Sequence, residues 1–212
     1  MQSDNYTPAS VAAEVKKYDG VRRKQAIGSL VKTLHIDNLD VIASYGEDAA
    51  VIQNGRTALL LAADGIWNKL MDIDPYWAGY CAILVNVHDI AAMGGRPVAM
   101  VDILSASDDE VMAQVTNGMR DAANAFNVPV VGGHLHPDAP YNVIDVSILG
   151  VADLENVIYS STANVGDLII MAIDLNGRIH PSARMNWDSV TQKSPEVLQK
   201  QLGVMKDLGE HH

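Results

Sequence analysis

The sequence predicts an α/β (α+β) chain in which a mixed sheet carries its helices on one face. Three observations lead there. Two short apolar runs, Ala49 to Gln53 and Thr57 to Ala63, are separated by Asn54 and Gly55, the dipeptide most typical of a tight hairpin. Two longer segments, 74–93 and 107–126, open on helix-start signals and carry apolar residues at helical spacing. Val143 to Ala152 alternates, with Ile144, Val146 and Ile148 on one side, as a half-buried strand does.

Taken in order, residues 1–20 are polar without a clear period. Val21 to Leu34 then sets Val21, Ile27, Leu30, Val31 and Leu34 at loosely helical spacing. The hairpin follows, flanked by acid: Glu47 and Asp48 before its first strand, Asp64 after its second. Asp74 followed by Pro75 starts a helix, because the carboxylate accepts from a free backbone N–H and the missing proline N–H costs nothing in the first turn. That helix runs to Met93 and stops at Gly94, after which Arg96 and Pro97 turn the chain into a strand at Val98 to Ser105. Ser107 and Glu110 form a capping box, opening a helix whose buried stripe is Val111, Val115, Met119, Ala122 and Phe126. Val128 to Gly133 reads as a short strand entering a glycine turn. Beyond Gly166, Asp167 to Ile173 begins a new strand, and a final helix runs around Pro195 to Leu208 with little to pack against.

The expected organisation is a polar segment at 1–20, one domain over 21–160, the start of a truncated second domain at 161–210, and a purification-tag remnant at His211 and His212.

Composition narrows the function. A formal net charge of −11 repels phosphate backbones, which argues against nucleic acid and makes divalent cations the natural bridge to any bound phosphate. The single cysteine, Cys81, sits in an apolar run and reads as a buried, inert thiol in a cytoplasmic protein. The longest apolar stretch, Tyr76 to Met93, is interrupted by Asn86, His88 and Asp89, so no membrane span is expected. The P-loop, the dinucleotide fingerprint, paired CxxC, HExxH and GxSxG are all absent.

What remains is a set of carboxylates at element ends. Glu47 and Asp48 lie in GEDAAVI, and Asp64 precedes Gly65; each alone reads as an ordinary solvated turn. Asp89 is different. It shares a helix face with Asn86, and Ile83, Leu84, Val87, Ile90 and Ala91 occupy the others. An ionised carboxylate among such neighbours is costly unless a cation or hydrogen-bond donors meet it. In GGHLHPD, Gly132 and Gly133 let backbone amides approach a ligand. The adjoining His134 and His136 alternate along an extended segment and need not point the same way, so one buried and one exposed histidine is expected.

In this order, GEDAA, ADG after a strand, NVHDIAAMGGRP and VGGH resemble the superfamily of aminoimidazole ribonucleotide (AIR) synthetase, thiamine-monophosphate kinase, selenophosphate synthetase and the carbamoyl-dehydrating hydrogenase maturation protein. The most specific element runs from Asp89 through Gly94, Gly95 and Arg96 to Pro97. The wording of residues 63–97 looks most like the synthetase-related proteins of the methanogenesis marker 2 type, and the resemblance covers about residues 20 to 175.

The resemblance implies a PurM-like N-terminal domain whose four-stranded sheet pairs with a second subunit into a dimeric β-barrel. It also implies ATP held through Mg²⁺ by Asp48, Asp64 and Asp89 with Glu47 assisting, and nucleotide contacts at Asn86, Gly94, Gly132, Gly133 and His134. Three departures stand out. Ala62 and Ala63 replace the hydroxyls that thiamine-monophosphate kinases place before the second acid, and His134 stands where several members have an acid. The reactive cysteine of selenophosphate synthetase is missing, and Lys24 is a loose counterpart of its lysine. The expected function is a cytoplasmic, homodimeric, Mg²⁺-dependent enzyme that phosphorylates or ATP-activates a small metabolite, with the catalytic residues and the acceptor unassigned. The alternative is a nucleotide-binding or assembly subunit without turnover.

Overall fold

The structure, a computed structural model, describes residues 6–24, 26–137 and 139–211. Residues 1–5 of the polar segment, Gln25, Asp138 of GGHLHPD and His212 lie outside the described residues. The chain forms two compact units, residues 1–39 and residues 40–212.

The first unit is helical. The expected helix over Val21 to Leu34 is two, α2 (Asp19–Lys24) and α3 (Ile27–Leu34), and the polar segment before them contains α1 (Pro8–Lys17), capped by Thr7 and Ser10 in reciprocal hydrogen bonds. None of the three buries a residue.

The second unit is built on a sheet of six strands, not the four implied by resemblance: β1 (Val41–Ala43), β2 (Ala50–Asn54), β3 (Thr57–Gly65), β4 (Arg96–Ser105), β5 (Val130–His136) and β6 (Val143–Asp153). Their spatial order is β1-β2-β3-β6-β4-β5, antiparallel except for the parallel pair β4 and β5. β1 escaped the sequence reading because three residues show no period. The hairpin is present one residue later than read: Asn54 pairs with Thr57, so Gly55 and Arg56 form the loop, with Gly55 at φ +64°.

Between β3 and β4 come α4 (Asn68–Ile73) and α5 (Pro75–Ala92). Asp74 accepts from the Trp77 N–H at 2.9 Å, as expected of that start, and Gly94 ends the run at φ +73°. Arg96 and Pro97 already belong to β4, where the missing proline N–H coincides with a register shift against β6. α6 (Asp109–Phe126) is capped by Asp108, not Ser107, whose N–H is taken by Asn142 instead.

α5 is apolar almost all round because it is buried almost all round. It packs on β3, β6 and β4 with one side, while α6 lies against it. The α5–α6 crossing is very close: a Cβ at Gly79 would lie 2.1 Å from the Val115 carbonyl oxygen, and one at Gly118 would lie 1.9 Å from that of Tyr76. The fully buried side chains Val51, Leu60, Ile83, Val87, Ile90, Ile144 and Ile148 fill the space between sheet and helices, as the alternation in Val143 to Ala152 predicts.

Past β6 and a 3-10 turn at Leu154–Asn156, the chain continues to β7 (Arg178–Ile179), β8 (Trp187–Asp188), α7 (Pro195–Leu202) and α8 (Val204–Gly209). The expected final helix is therefore two helices meeting at Gly203. This segment does find packing. Ala183 and Leu198 join the core, His180 stacks on Trp77 at 4.3 Å, and Gln199 donates to the Ala125 carbonyl at 3.0 Å. The expected strand at Asp167 to Ile173 is absent. Leu168, Ile169 and Ile170 stand almost fully exposed, and a strand needs a neighbour to complete its ladder.

Candidate functional site

The site grows from the junction of β3 and α5. Asn86 is fully buried on α5, and its Nδ2 donates to the backbone carbonyl of Asp64 at 3.3 Å and to that of Ala82 at 2.8 Å. These two bonds orient the amide and leave Oδ1 buried without a partner. One turn further along α5, Asp89 is half-buried, and its pKa is pushed up to about 6, first by burial and then by the charges of Asp64 and Asp48. Two of the other predicted acids, Asp64 and Asp48, thus lie close enough for their charges to act on Asp89. The Asp64 carboxylate also accepts from the Gly65 N–H at 2.8 Å.

Glu47 faces another task. Its carboxylate accepts from the Ser160 N–H at 2.8 Å and the Ser161 hydroxyl at 3.3 Å, and the Ser160 backbone bond leads in holding its pKa below the usual carboxylate range. It ties the segment after β6 to the turn at Gly46, whose φ of +113° a glycine adopts without strain.

The register sorts the remaining residues by face. Asp64, Val146, Asp102 and Gly133 form one row across β3, β6, β4 and β5. Val146 is buried against the helices, so this row faces them. The adjacent row, Gly65, Asp145, Ile103 and His134, faces away. His134 therefore lies on the opposite side of the sheet from Asp64, and Gly133 stands three strand spacings from Asp64, about 14 Å.

Gly132 and Gly133 lie inside β5 and not in a turn. The reason is local: a Cβ at Gly133 would lie 2.4 Å from Asp102 Oδ1, so the glycine makes room for that carboxylate. Gly94 is buried, and a Cβ there would press on the Asn156 carbonyl oxygen and the Ile158 side chain. His134 and His136 are both exposed, with ring centroids 4.5 Å apart. The expectation of one buried and one exposed fails because positions two apart on a strand share a face.

Sequence reasoning missed Asp102. Burial raises its pKa, and the signal was available as a single acid inside the apolar run VAMVDILS. Cys81 is buried, as expected, and burial pushes its thiol up to about 12.

Among the described residues, no three His, Cys, Asp or Glu side chains are placed to hold a metal ion by themselves. The donor set at Asp89 nonetheless fits a hydrated Mg²⁺. That ion prefers oxygen, keeps several waters, and takes one or two carboxylates plus phosphate oxygens. One turn before Asp89 on α5, the buried Asn86 Oδ1 is an acceptor without a partner. No helix among the described residues is long and apolar enough to cross a membrane.

Comparison with known proteins agrees with this fold. The chain is 45% identical over 206 residues to an uncharacterised protein of Methanocaldococcus jannaschii, covering 95% of this chain and 64% of that protein. It is 30% identical over 182 residues to the phosphoribosylformylglycinamidine synthase subunit PurL of Bartonella quintana, covering 79% of this chain and 25% of PurL. The structure of AaThiL complexed with AMPPCP and TMP superposes with a TM-score of 0.57 at 25% identity, over 67% of this chain and 45% of that one. The chain thus spans less than two thirds of the length of each of these proteins. The family model for the AIR synthase related protein, N-terminal domain, matches residues 46–152, which hold the hairpin, α5, the acids and β5, and the chain belongs to that family.

Proposed function

We propose that this chain carries the ion- and phosphate-binding part of a Mg²⁺-dependent, ATP-using enzyme that phosphorylates a small metabolite or activates it with ATP. The observation that carries this reading is the gathering of Asp48 and Asp64 near Asp89, one helical turn from the unpartnered Asn86 Oδ1. Such an arrangement is unfavourable by itself and becomes favourable when a cation enters. The AaThiL complex with AMPPCP supports a nucleotide as the ligand. Mg²⁺ bound there would supply neutralisation of phosphate charge, on which phosphoryl transfer chiefly depends.

Each residue then has a role. Asp89 with one of its acidic neighbours holds the hydrated ion while the other, of Asp48 and Asp64, adds its charge or binds through water; Glu47 steadies the turn that presents Asp48, and Asn86 fixes α5 against the end of β3. Gly94 ends α5 so that Asp89 keeps its place, and Gly133, on the same sheet face as Asp64, supplies a more distant nucleotide contact, whereas Gly132 and His134 face the other side of the sheet and drop out of this set. The alternative, a nucleotide-binding or assembly subunit without turnover, draws on Ala62 and Ala63, which carry no hydroxyl beside Asp64.

The same reading makes the protein a homodimer. The sheet face away from the helices exposes Leu61, Val101, Ile103 and Leu149, a patch suited to a second copy of itself. It also takes 161–210 as the beginning of a further domain in a longer protein, which would cover the exposed run Leu168 to Met171.

Calorimetric titration with ATP, with and without Mg²⁺, tests the site on the wild type and on Asp89→Asn. Binding that needs Mg²⁺ and weakens in the variant is expected. Equal binding in the variant and without metal overturns the assignment. Product formation with candidate acceptors then separates the enzyme from the non-catalytic subunit.

A further inference from the structure

Residues 156–161, which leave the sheet after β6, touch both pieces of backbone that carry Asp89 and Asp48. The Ile158 N–H donates to the Met93 carbonyl at 3.1 Å, one turn beyond Asp89 at the end of α5. Gly94 lies against the same stretch. Its φ is +73°, and a Cβ there would come within 3.2 Å of the Asn156 carbonyl oxygen and 3.3 Å of the Ile158 side chain. Two residues further on, the Ser160 N–H donates to the Glu47 carboxylate at 2.8 Å and the Ser161 hydroxyl at 3.3 Å, and Glu47 is the immediate neighbour of Asp48. Tyr159, between these attachments, packs on the core, and the Thr162 hydroxyl closes the turn on its carbonyl at 3.1 Å.

We propose that residues 156–161 form a clasp that sets the spacing of Asp48 from Asp89, with Glu47 and Ser160 as its positioning residues, and so ties cation binding to the placement of the chain beyond Ser161. The inference rests on the Mg²⁺ and ATP reading of the site and adds the element that holds its acids in place. The physical reason is repulsion. Asp48 and Asp89 carry like charge, so an untied turn at Gly46 gains by moving Asp48 away. A backbone N–H bonded to a carboxylate resists that movement, because the charge on the acceptor makes the bond short and strong. When a cation enters between the acids, ion and clasp favour the same arrangement. By linkage each then strengthens the other.

Amide exchange followed by NMR on the full chain, together with calorimetric titration of ATP in Mg²⁺, tests the clasp. In the wild type, Mg²⁺ with ATP should slow exchange of the Ser160 amide at least about tenfold. Glu47→Ala should speed that exchange in the metal-free protein, remove its response to Mg²⁺ with ATP, and lower ATP affinity about tenfold, as loss of a hydrogen bond to a charged group does. Glu47→Gln keeps an oxygen that accepts from Ser160 and should retain most of both properties. Far-UV circular dichroism and slow exchange in the middle of α5 confirm that the variants keep the fold. If Glu47→Gln behaves as Glu47→Ala does, Glu47 acts through its charge on the ion and the clasp is overturned. Wild-type binding with an unresponsive Ser160 amide, or full affinity in Glu47→Ala, overturns it as well. A wild type that binds no ATP overturns the nucleotide reading, while metal-free exchange of Ser160 in Glu47→Ala still decides whether the clasp exists.

Discussion

The side chain of Asn86 donates to the backbone carbonyl of Asp64 at 3.3 Å, joining the middle of α5 to the end of β3. Through this contact the helix and the strand that carry the two central acids hold one spacing. Asn86→Leu keeps the branching and heavy-atom count of the side chain and removes the clamp, so the Asp64 carbonyl loses this donor. Urea unfolding of the variant should show a loss of about 1–3 kcal/mol. Unchanged stability would mean that the contact contributes nothing to the junction.

Asp89 predicts a pH dependence whose sign follows from its raised pKa of about 6. The folded state favours the protonated form, so this group's contribution to stability is fully present below the ordinary carboxylate pKa and is lost as pH rises through about 6. At neutral pH the ionised side chain is therefore a burden on the metal-free protein. Asp89→Asn should raise stability by about 1–2 kcal/mol at pH 7.5, after allowance for solvent screening, and by almost nothing near pH 4. Thermal unfolding at the two pH values reads the difference. A variant that unfolds at neutral pH would recast Asp89 as a structural residue.

The same carboxylate should tie cation binding to pH. Protons compete with Mg²⁺ at Asp89, so affinity for Mg²⁺ with ATP should rise between about pH 5 and 7, and that rise should flatten in Asp89→Asn. A profile of the same steepness in both proteins would place the metal elsewhere.

The crossing of α5 and α6 admits no side chain at its two glycines. Gly118→Ala puts a methyl against the Tyr76 backbone, where the helix cannot yield as a flexible side chain does. A loss of at least about 1–3 kcal/mol is expected for it, and likewise for Gly79→Ala. In a glycine with open space around it, such as Gly28, the same change should be nearly silent or slightly stabilising.

The dimer is tested at the exposed sheet face. Ile103→Glu sets a carboxylate in the middle of the apolar patch without touching the core between sheet and helices. Light scattering should report a dimer for the wild type and a monomer for the variant, with circular dichroism unchanged. A wild-type monomer at micromolar concentration removes that assignment.

Much of the fold was legible in local signals because those signals act within a few residues. Asp74 and Pro75 start α5, Gly94 stops it, and the alternation of Ile144, Val146 and Ile148 faces the core as read. Errors came where a distant partner decides. Ser107 looked like a cap until Asn142 took its N–H, and the strand at Asp167 to Ile173 had the right residues and no neighbour. At the candidate site, Asp89 announced itself as an acid on an apolar helix. Asp102 gave a similar sign and was passed over, because a lone acid inside a strand reads as a solvent-facing position.

The sequence by itself determined the helix starts and stops, the hairpin, the buried stripes and the set of acids, since each depends on residues close in the chain. Only the tertiary structure decided which acids meet. It brought Asp48 and Asp64 near Asp89, turned Glu47 toward Ser160, left Asn86 Oδ1 without a partner, and put His134 and His136 together on the other face. These outcomes rest on strand register and on the seating of α5 across three strands, and a register is set by pairings between segments that no local pattern specifies.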